Sequence, residues 1–151
     1  MKINPYTHPA QAGVTLIELM TVLVVLAILA SIAVPSYRSY MLRANRSDAK
    51  SALMQLQVAQ EKYFLQFNSY TKKVTDAPPA GLGLTGVTTH GFYALSIPEL
   101  AADGQSYTAY ATPVPGGGQQ DDKKCNIFTI NDRGVQGIKD ATTNDKAACW
   151  K

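Results

Sequence analysis

Residues 13–34 read GVTLIELMTVLVVLAILASIAV, and this stretch decides the architecture of the N-terminal part of the chain. Between Val14 and Val34, 17 of 21 residues are apolar, and the exceptions are Thr15, Glu18, Thr21 and Ser31. A helix of this length is about 31 Å long, which matches the hydrocarbon core of a bilayer at about 30 Å. The sequence therefore predicts a transmembrane helix near the N-terminus.

A cleaved secretory signal peptide is the alternative explanation for an apolar segment at this position. Signal peptides have a shorter apolar core, which is followed by a small-residue cleavage site. Here the apolar run is long, and residues 35–38 (Pro-Ser-Tyr-Arg) follow it without such a pattern. We therefore expect the apolar segment to remain in the mature protein.

Glu18 places an ionisable carboxyl group inside this apolar segment. A charged side chain at the centre of a membrane helix costs about 2.5–3.5 kcal/mol on insertion scales. Two interpretations are open from the residue alone. Glu18 either lies near one membrane face, where its carboxylate reaches water, or has a partner and a function within the apolar environment.

The residues that lead into the apolar segment resemble the processing motif of the type IV pilin family. In that family a short leader ends in glycine, and a hydrophobic residue, Thr-Leu-Ile-Glu and an apolar helix follow. Here residues 13–18 read Gly-Val-Thr-Leu-Ile-Glu after a mostly polar leader. The resemblance implies that a prepilin peptidase cleaves between Gly13 and Val14 and methylates the new amine of Val14. Glu18 would then be the fifth residue of the mature chain.

The resemblance also implies an assembly role for Glu18. The new α-amine of Val14 has a pKa near 8 and is cationic at neutral pH. In a filament of packed apolar helices an unpaired carboxylate is costly, so pairing with the amine of the preceding subunit would set the register between subunits.

Two further features of this segment bear on the resemblance. Val14 stands where the family usually has Phe, and the position remains apolar. Pro35 is retained, and a proline inside a helix removes one backbone hydrogen bond and kinks or loosens the helix. We expect Pro35 to be a weak point along the helix.

The family resemblance and the charge distribution disagree on the orientation of this helix. The leader carries a single basic residue, Lys2, whereas Arg38, Arg43 and Arg46 follow the apolar segment. A count of positive charges alone would place the C-terminal part in the cytoplasm. The resemblance implies the opposite: a single-pass inner-membrane protein whose soluble domain is periplasmic, and which later becomes part of an extracellular pilus.

Beyond Pro35 the pattern becomes that of an amphipathic helix, which we predict to continue to about Gln66. We place Arg43, Arg46 and Asp48 on its polar face. Four strand candidates follow at about residues 91–97, 106–114, 125–130 and 135–138. The sequence therefore predicts an α+β fold, in which one long helix packs on an antiparallel sheet of three or four strands. The domains would be a leader (1–13), a transmembrane or filament-core helix (14–34) and a periplasmic globular domain (35–151).

The C-terminal part resembles the PilE-type minor pilins, whose last strands lead to a Cys-Trp ending. Here the residues are CNIFTINDRG at 125–134, GIK at 137–139 and CWK at 149–151. The resemblance implies a disulfide between Cys125 and Cys149 that closes the C-terminal loop, and disulfides persist in the periplasm and outside the cell. Two unpaired structural cysteines are the alternative, and redox chemistry is disfavoured because there is no C-x-x-C pair.

The composition and the remaining motifs favour no enzyme. Two cysteines are too few for a four-thiolate zinc site, and a net charge of +3 does not by itself imply nucleic acid binding. Residues 81–86 match G-x-G-x-x-G, but they follow two prolines and precede a predicted strand, which is the wrong context for a dinucleotide site. We therefore expect no catalytic residue, cofactor or metal ion.

The sequence thus favours a minor pilin that is assembled into a type IV pilus or primes it. By resemblance, such subunits support twitching motility, adhesion and surface attachment. The expected partners are other pilin subunits, the prepilin peptidase, the pilus assembly platform and the inner membrane. A DNA-uptake pilin, the major pilin and a type II secretion pseudopilin are the alternatives. DNA binding would require a basic stripe, for which the candidates are Lys72, Lys73, Lys123, Lys124, Arg133, Lys139 and Lys146.

Overall fold

The structure, a computed structural model, describes residues 13–151. The predicted leader, with Lys2, therefore lies outside the described residues apart from Gly13. The chain divides into two compact units, one that ends at Arg38 and one that begins at Ser39.

One long helix, α1, runs from Leu16 to Phe67 and belongs to both units. This confirms the predicted helix, whose expected limits were Val14 and Gln66. The length and composition of its N-terminal part would allow it to cross a membrane. Pro35 lies inside α1, and the helix continues through it without interruption.

The second unit contains a four-stranded antiparallel sheet in the order β1-β2-β3-β4. The strands are Tyr93–Leu100, Tyr107–Pro113, Ile127–Asn131 and Gln136–Lys139. All four predicted strands are present. A short 3-10 turn, Gly118–Asp121, lies between β2 and β3, and a five-residue helix, α2, spans Lys146–Trp150.

Strand β1 extends past the end that the sequence predicted for it. The register against β2 shifts between Ser96 and Glu99, so that Pro98 lies in an irregular part of the strand. A bulge tolerates a proline because no ladder hydrogen bond is required from it there. The predicted strand ended at Ile97, and the irregular register explains how the strand continues past Pro98.

The hydrophobic core of the second unit combines α1 with the inner face of the sheet. Ala49, Leu53 and Leu56 of α1 belong to the same buried cluster as Tyr93 and Phe128 of the strands. These five residues are completely buried. The alternation of buried and exposed residues in β3, Ile127–Asn131, follows the period of two expected for a sheet with one face in the core.

Strand β4 lies at one edge of the sheet, where α2 covers it. The indole N–H of Trp150 donates a hydrogen bond of 2.9 Å to the carbonyl oxygen of Gly137 in β4. The Trp150 ring also packs edge-on against Phe128, with 5.6 Å between ring centroids. An exposed strand edge is a template for unwanted pairing, so this contact protects the edge. Helix α2 was not predicted, because five residues are too few to show a helical period.

Candidate assembly site and basic groove

Within residues 13–151, no part of the chain buries the apolar part of α1. Every large apolar side chain from Leu16 to Val34 is at least half exposed in the isolated subunit. Burial of such a surface is worth roughly 25 cal/mol per Å², so this helix surface requires lipid or other apolar helices as its environment.

Gly13 and Val14 directly precede α1, and both are exposed. A Cβ atom added at Gly13 would meet no atom within 4 Å, so packing does not explain the glycine. The proposed cleavage position is therefore accessible at the beginning of the helix.

Thr15 caps the N-terminus of α1. The backbone N–H of Glu18 donates a hydrogen bond of 3.2 Å to the Thr15 Oγ1 atom. This is half of a capping box, in which Glu at the third helical position would also bond back to the backbone of the capping residue. The Glu18 carboxylate accepts no hydrogen bond from any residue in 13–151. The carboxylate is exposed, and Thr15 satisfies the helix end without it.

Two serine hydroxyl groups lie on either side of Pro35. Ser31 Oγ donates to the carbonyl oxygen of Ile28 at 2.7 Å, and Ser36 Oγ donates to that of Ile32 at 3.0 Å. These bonds satisfy the hydroxyl groups within the helix itself, so neither serine brings an unpaired polar group to this apolar surface. The loosening of the helix at Pro35 stays a prediction.

Cys125 and Cys149 form a disulfide, as the resemblance implied, and both residues are buried. The bond joins the chain before β3 to helix α2. Each side of the bond is also held by backbone contacts, for example from Thr142 N–H to the carbonyl oxygen of Lys123 at 2.8 Å. The C-terminal segment is thereby fixed next to the chain that precedes β3.

A buried ion pair fastens this region to α1. The Arg46 guanidinium donates two hydrogen bonds to the Asp122 carboxylate, at 2.7 and 2.9 Å, and both residues are more than nine-tenths buried. The second Asp122 oxygen, Oδ1, also accepts a bond from the backbone N–H of Cys125. The ion pair thus connects α1 directly to the disulfide.

The expectation that Arg46 and Asp48 lie on the polar face of α1 is wrong, because both are buried. A signal for Arg46 was present in the sequence. Arg46, Ala49, Leu53, Leu56 and Gln60 recur at steps of three and four and form one buried stripe. A charged residue in register with the core stripe needs a partner, which the fold supplies in Asp122.

Gln60 plays the matching role at the other end of the buried stripe. Its side-chain amide donates to the carbonyl oxygen of Thr71 at 2.6 Å and accepts from the Thr71 N–H at 3.2 Å. The two bonds hold the loop that leaves α1 against the helix. Polar groups at both ends of the stripe are therefore paired with long-range or loop partners rather than solvated.

Asp48 is buried beside His90, with 3.0 Å between Asp48 Oδ1 and His90 Nδ1. Tyr93 lies in the same neighbourhood, and burial raises the pKa of its hydroxyl far above the usual range. His90 therefore contacts a core carboxylate of its own subunit.

Three of the seven basic residues considered for DNA binding have acidic partners on the surface. Lys73 pairs with Asp76 at 3.2 Å, and Arg133 lies 3.8 Å from Asp132. Lys139 lies 3.7 Å from Glu99, and a 2.9 Å bond to the Tyr110 hydroxyl raises its pKa. In the described part of the chain, the other four have no ion-pair partner: Lys72, Lys123, Lys124 and Lys146.

Lys123 and Lys124 line a groove of about 610 Å³ beside the disulfide, which we call the basic groove. Its other wall comes from α1 and includes Arg43, which is exposed and has no ion-pair partner within residues 13–151. The groove also contains the carboxylates of Asp121 and Asp145 and the Arg46–Asp122 pair. The arrangement brings together only two of the seven predicted candidates and adds Arg43.

An exposed apolar helix that continues into the core of a sheet domain, together with a disulfide-closed C-terminus, defines the chain as a type IV pilin. A family model for the prokaryotic N-terminal methylation motif matches residues 8–34. A second family model, described as type IV minor pilin ComP, DNA uptake sequence receptor, matches residues 35–129, so the chain belongs to that family of type IV pilins.

Two individual proteins are similar to the chain. The chain is 31% identical over 121 residues to the type IV major pilin protein PilA of Myxococcus xanthus (strain DK1622). That match covers 78% of this chain and 50% of PilA, so the chain spans about half of the length of this relative. A solved type IV pilin from Shewanella oneidensis is 19% identical with a TM-score of 0.48, and the match covers 73% of this chain and 98% of that one.

Proposed function

We propose that this chain is a minor subunit of a type IV pilus and enters the filament through the exposed apolar surface of α1. The observation that carries the proposal is that surface, which holds the carboxylate of Glu18 without a hydrogen-bond partner among residues 13–151. Residues 1–13 would be the leader, 14–34 the membrane and filament-core helix, and 35–151 the periplasmic domain.

Processing and assembly are linked through Val14 in this proposal. Cleavage between Gly13 and Val14 by the prepilin peptidase creates an amine four residues from Glu18. In the membrane the two charges of one subunit can compensate each other. In the filament the amine of one subunit pairs with Glu18 of its neighbour, because a buried charge without a partner is strongly destabilising.

The Thr15 cap supports this division of roles. Because the Thr15 hydroxyl already accepts the N–H of Glu18, the Glu18 carboxylate is not needed to cap its own helix. The carboxylate remains free to meet an amine from another subunit. The subunit works as a structural component, and by family resemblance it helps to initiate assembly and supports twitching motility, adhesion and surface attachment.

We expect Glu18→Ala to leave membrane insertion intact and to reduce incorporation into pili on the order of a hundredfold, as the loss of one partner from a buried ion pair predicts. Mass spectrometry of filaments sheared from cells measures incorporation. In the unmodified strain it should detect a trace subunit that begins with methylated Val14. A dominant subunit would indicate the major pilin instead.

Thr15→Ser is the matched control, because it keeps both the cap hydroxyl and Glu18. It should be incorporated normally. Normal incorporation of Glu18→Ala would contradict the pairing, and the absence of the wild-type chain from filaments would contradict the pilin function itself.

DNA uptake is the second candidate function, and the description of the matching family favours it. The unpaired lysines of the soluble domain, above all the adjacent Lys123 and Lys124, are the residues that could contact phosphates. Lys139, Arg133 and Lys73 contribute less, because their acidic neighbours already compensate them. This distribution supports a small phosphate-contacting patch rather than a continuous stripe.

We expect the full chain in detergent to bind duplex DNA with an affinity that falls steeply as salt increases. Each phosphate contact contributes about 0.9 to the slope of log affinity against log salt concentration, so Lys123→Gln/Lys124→Gln should lower the slope by about two. Fluorescence anisotropy with labelled duplex measures it. Binding that is insensitive to salt, or absent at low salt, would eliminate this candidate.

A further inference from the structure

The basic groove carries cations that the proposed assembly into a pilus does not use. Arg43 on one wall and Lys123 and Lys124 on the other have no ion-pair partner in the described chain. Three aspartates also line the groove. Asp122 is compensated by Arg46, Asp145 caps α2 by accepting the Ala148 N–H at 3.2 Å, and Asp121 is the third acid that lines the groove.

The backbone of the two lysines is held in place. The carbonyl oxygen of Lys123 accepts a bond from Thr142, and the next residue after Lys124 is the disulfide-bonded Cys125. The wall opposite is the helix α1 itself. The groove is therefore preorganised, which lowers the entropy cost of binding a ligand between its walls.

The α1 residues of the groove follow the apolar segment closely along the chain. Its α1 residues begin at Ser39 and include Arg43, which follows Val34, the last residue of the apolar segment, by nine positions of continuous helix. Nine helical residues advance about 14 Å at most, whatever the direction of the helix axis. The headgroup layer occupies about the first 5–8 Å beyond the hydrocarbon core, and electrostatic attraction reaches about 8 Å further.

We propose that the basic groove binds the phosphate headgroup of an anionic phospholipid in the membrane that holds α1 before assembly. The inference rests on one part of the proposed function, namely that α1 resides in a membrane before assembly. Arg43, Lys123 and Lys124 supply the charge for the headgroup. Extraction of the subunit into a filament leaves the lipid behind, so the contact belongs to the membrane stage.

The single tryptophan of the chain offers a direct test. Trp150 follows Cys149, which lines the groove. The full chain is placed in phosphatidylcholine nanodiscs that contain a trace of one labelled lipid. In one sample this lipid is phosphatidylglycerol and in the other it is phosphatidylcholine, and both carry a dansyl group on the acyl chain. Energy transfer from Trp150 should be stronger for labelled phosphatidylglycerol, which shows selective association.

Matched lysine pairs make the test specific. A lysine near an anionic surface is worth about a fivefold gain in affinity, so Lys123→Gln/Lys124→Gln should weaken the selective association about twenty-five-fold. Lys72→Gln/Lys73→Gln removes the same charge from residues outside the groove and should preserve it. Equal losses in both variants would overturn the proposal, because general charge attraction would then explain the effect.

Competition separates the possible ligands. Glycerol phosphate should displace labelled phosphatidylglycerol only at high concentration, because the membrane keeps its lipids near the groove. Equal transfer from both labelled lipids, combined with tight binding of glycerol phosphate or of duplex DNA, would overturn the lipid assignment. The Lys123→Gln/Lys124→Gln variant should be incorporated into filaments normally. This result would show that the pilin function does not depend on lipid binding in the groove.

Discussion

Arg46→Ala should destabilise the second unit by about 3–5 kcal/mol, the usual cost of removing one partner of a buried ion pair. The substitution leaves the Asp122 carboxylate, of which 4% is exposed, without its two charge-assisted hydrogen bonds. The same carboxylate holds the backbone of Cys125, so the loss reaches the disulfide region. Thermal unfolding of the full chain in detergent, followed by near-ultraviolet circular dichroism, measures the change.

Arg43→Ala is the control for this prediction. Arg43 lies three positions earlier on the same helix and is exposed, so its replacement should change the free energy of unfolding by less than about 0.5 kcal/mol. The double variant Arg46→Ala/Asp122→Ala should recover part of the loss, because no charge then remains buried without a partner. Equal effects of Arg46→Ala and Arg43→Ala would show that the ion pair does not stabilise the fold.

The pKa of Lys50 provides an independent measurement of the effect of Arg46→Ala. Burial, and next to it the charge of Arg46, lower the pKa of the Lys50 ammonium, which donates to the carbonyl oxygen of Lys151 at 2.6 Å. Removal of the Arg46 charge should therefore raise the pKa of Lys50. An unchanged pKa in a folded Arg46→Ala variant would mean that the two cations do not interact.

Cys125→Ser should lower the free energy of unfolding by about 3–4 kcal/mol, because the disulfide closes a loop of about 25 residues in the unfolded chain. For a unit of this size the loss corresponds to a decrease in Tm of roughly 10–20 °C. The disulfide stabilises the fold because it restricts the unfolded chain and because it helps to hold Cys149 and Trp150 against the sheet. Fewer pili should follow, since less folded subunit is available.

Reduction supplies the control for the disulfide. Wild-type protein in a strong thiol reductant should melt near the temperature of the Cys125→Ser variant, and the variant itself should not respond to the reductant. A Tm that neither substitution nor reduction changes would show that the ion pair and core hold the C-terminal segment without the disulfide.

The sequence predicted the elements of the fold well because their signals are local. Periodicity placed the long helix within two residues of its observed ends at Leu16 and Phe67, and alternation located all four strands. It ended β1 too early, at Ile97, since the continuation through a bulge depends on the partner strand. It missed α2, whose five residues are stabilised by the disulfide and Trp150 rather than by their own pattern.

The candidate sites were predictable to different degrees. Gly13, Val14 and Glu18 lie within six consecutive residues that carry a motif, so the resemblance could be stated from the chain alone. The basic groove could not be predicted from the sequence, because Arg43 and Lys123 are eighty residues apart and neither belongs to a motif. The seven basic candidates were chosen by charge alone, and acidic neighbours in the fold compensate three of them.

The sequence by itself determined that this chain has an apolar helix with a single carboxylate, a processing motif and an α+β domain, because composition and short-range period encode these features. Only the tertiary structure decided that Arg46 is a core residue. Its partner Asp122 lies 76 positions away, and the free energy of burying a charge depends on whether the fold brings such a partner within hydrogen-bond distance. The same long-range packing placed the lysines at 123 and 124 opposite α1 and so created the groove.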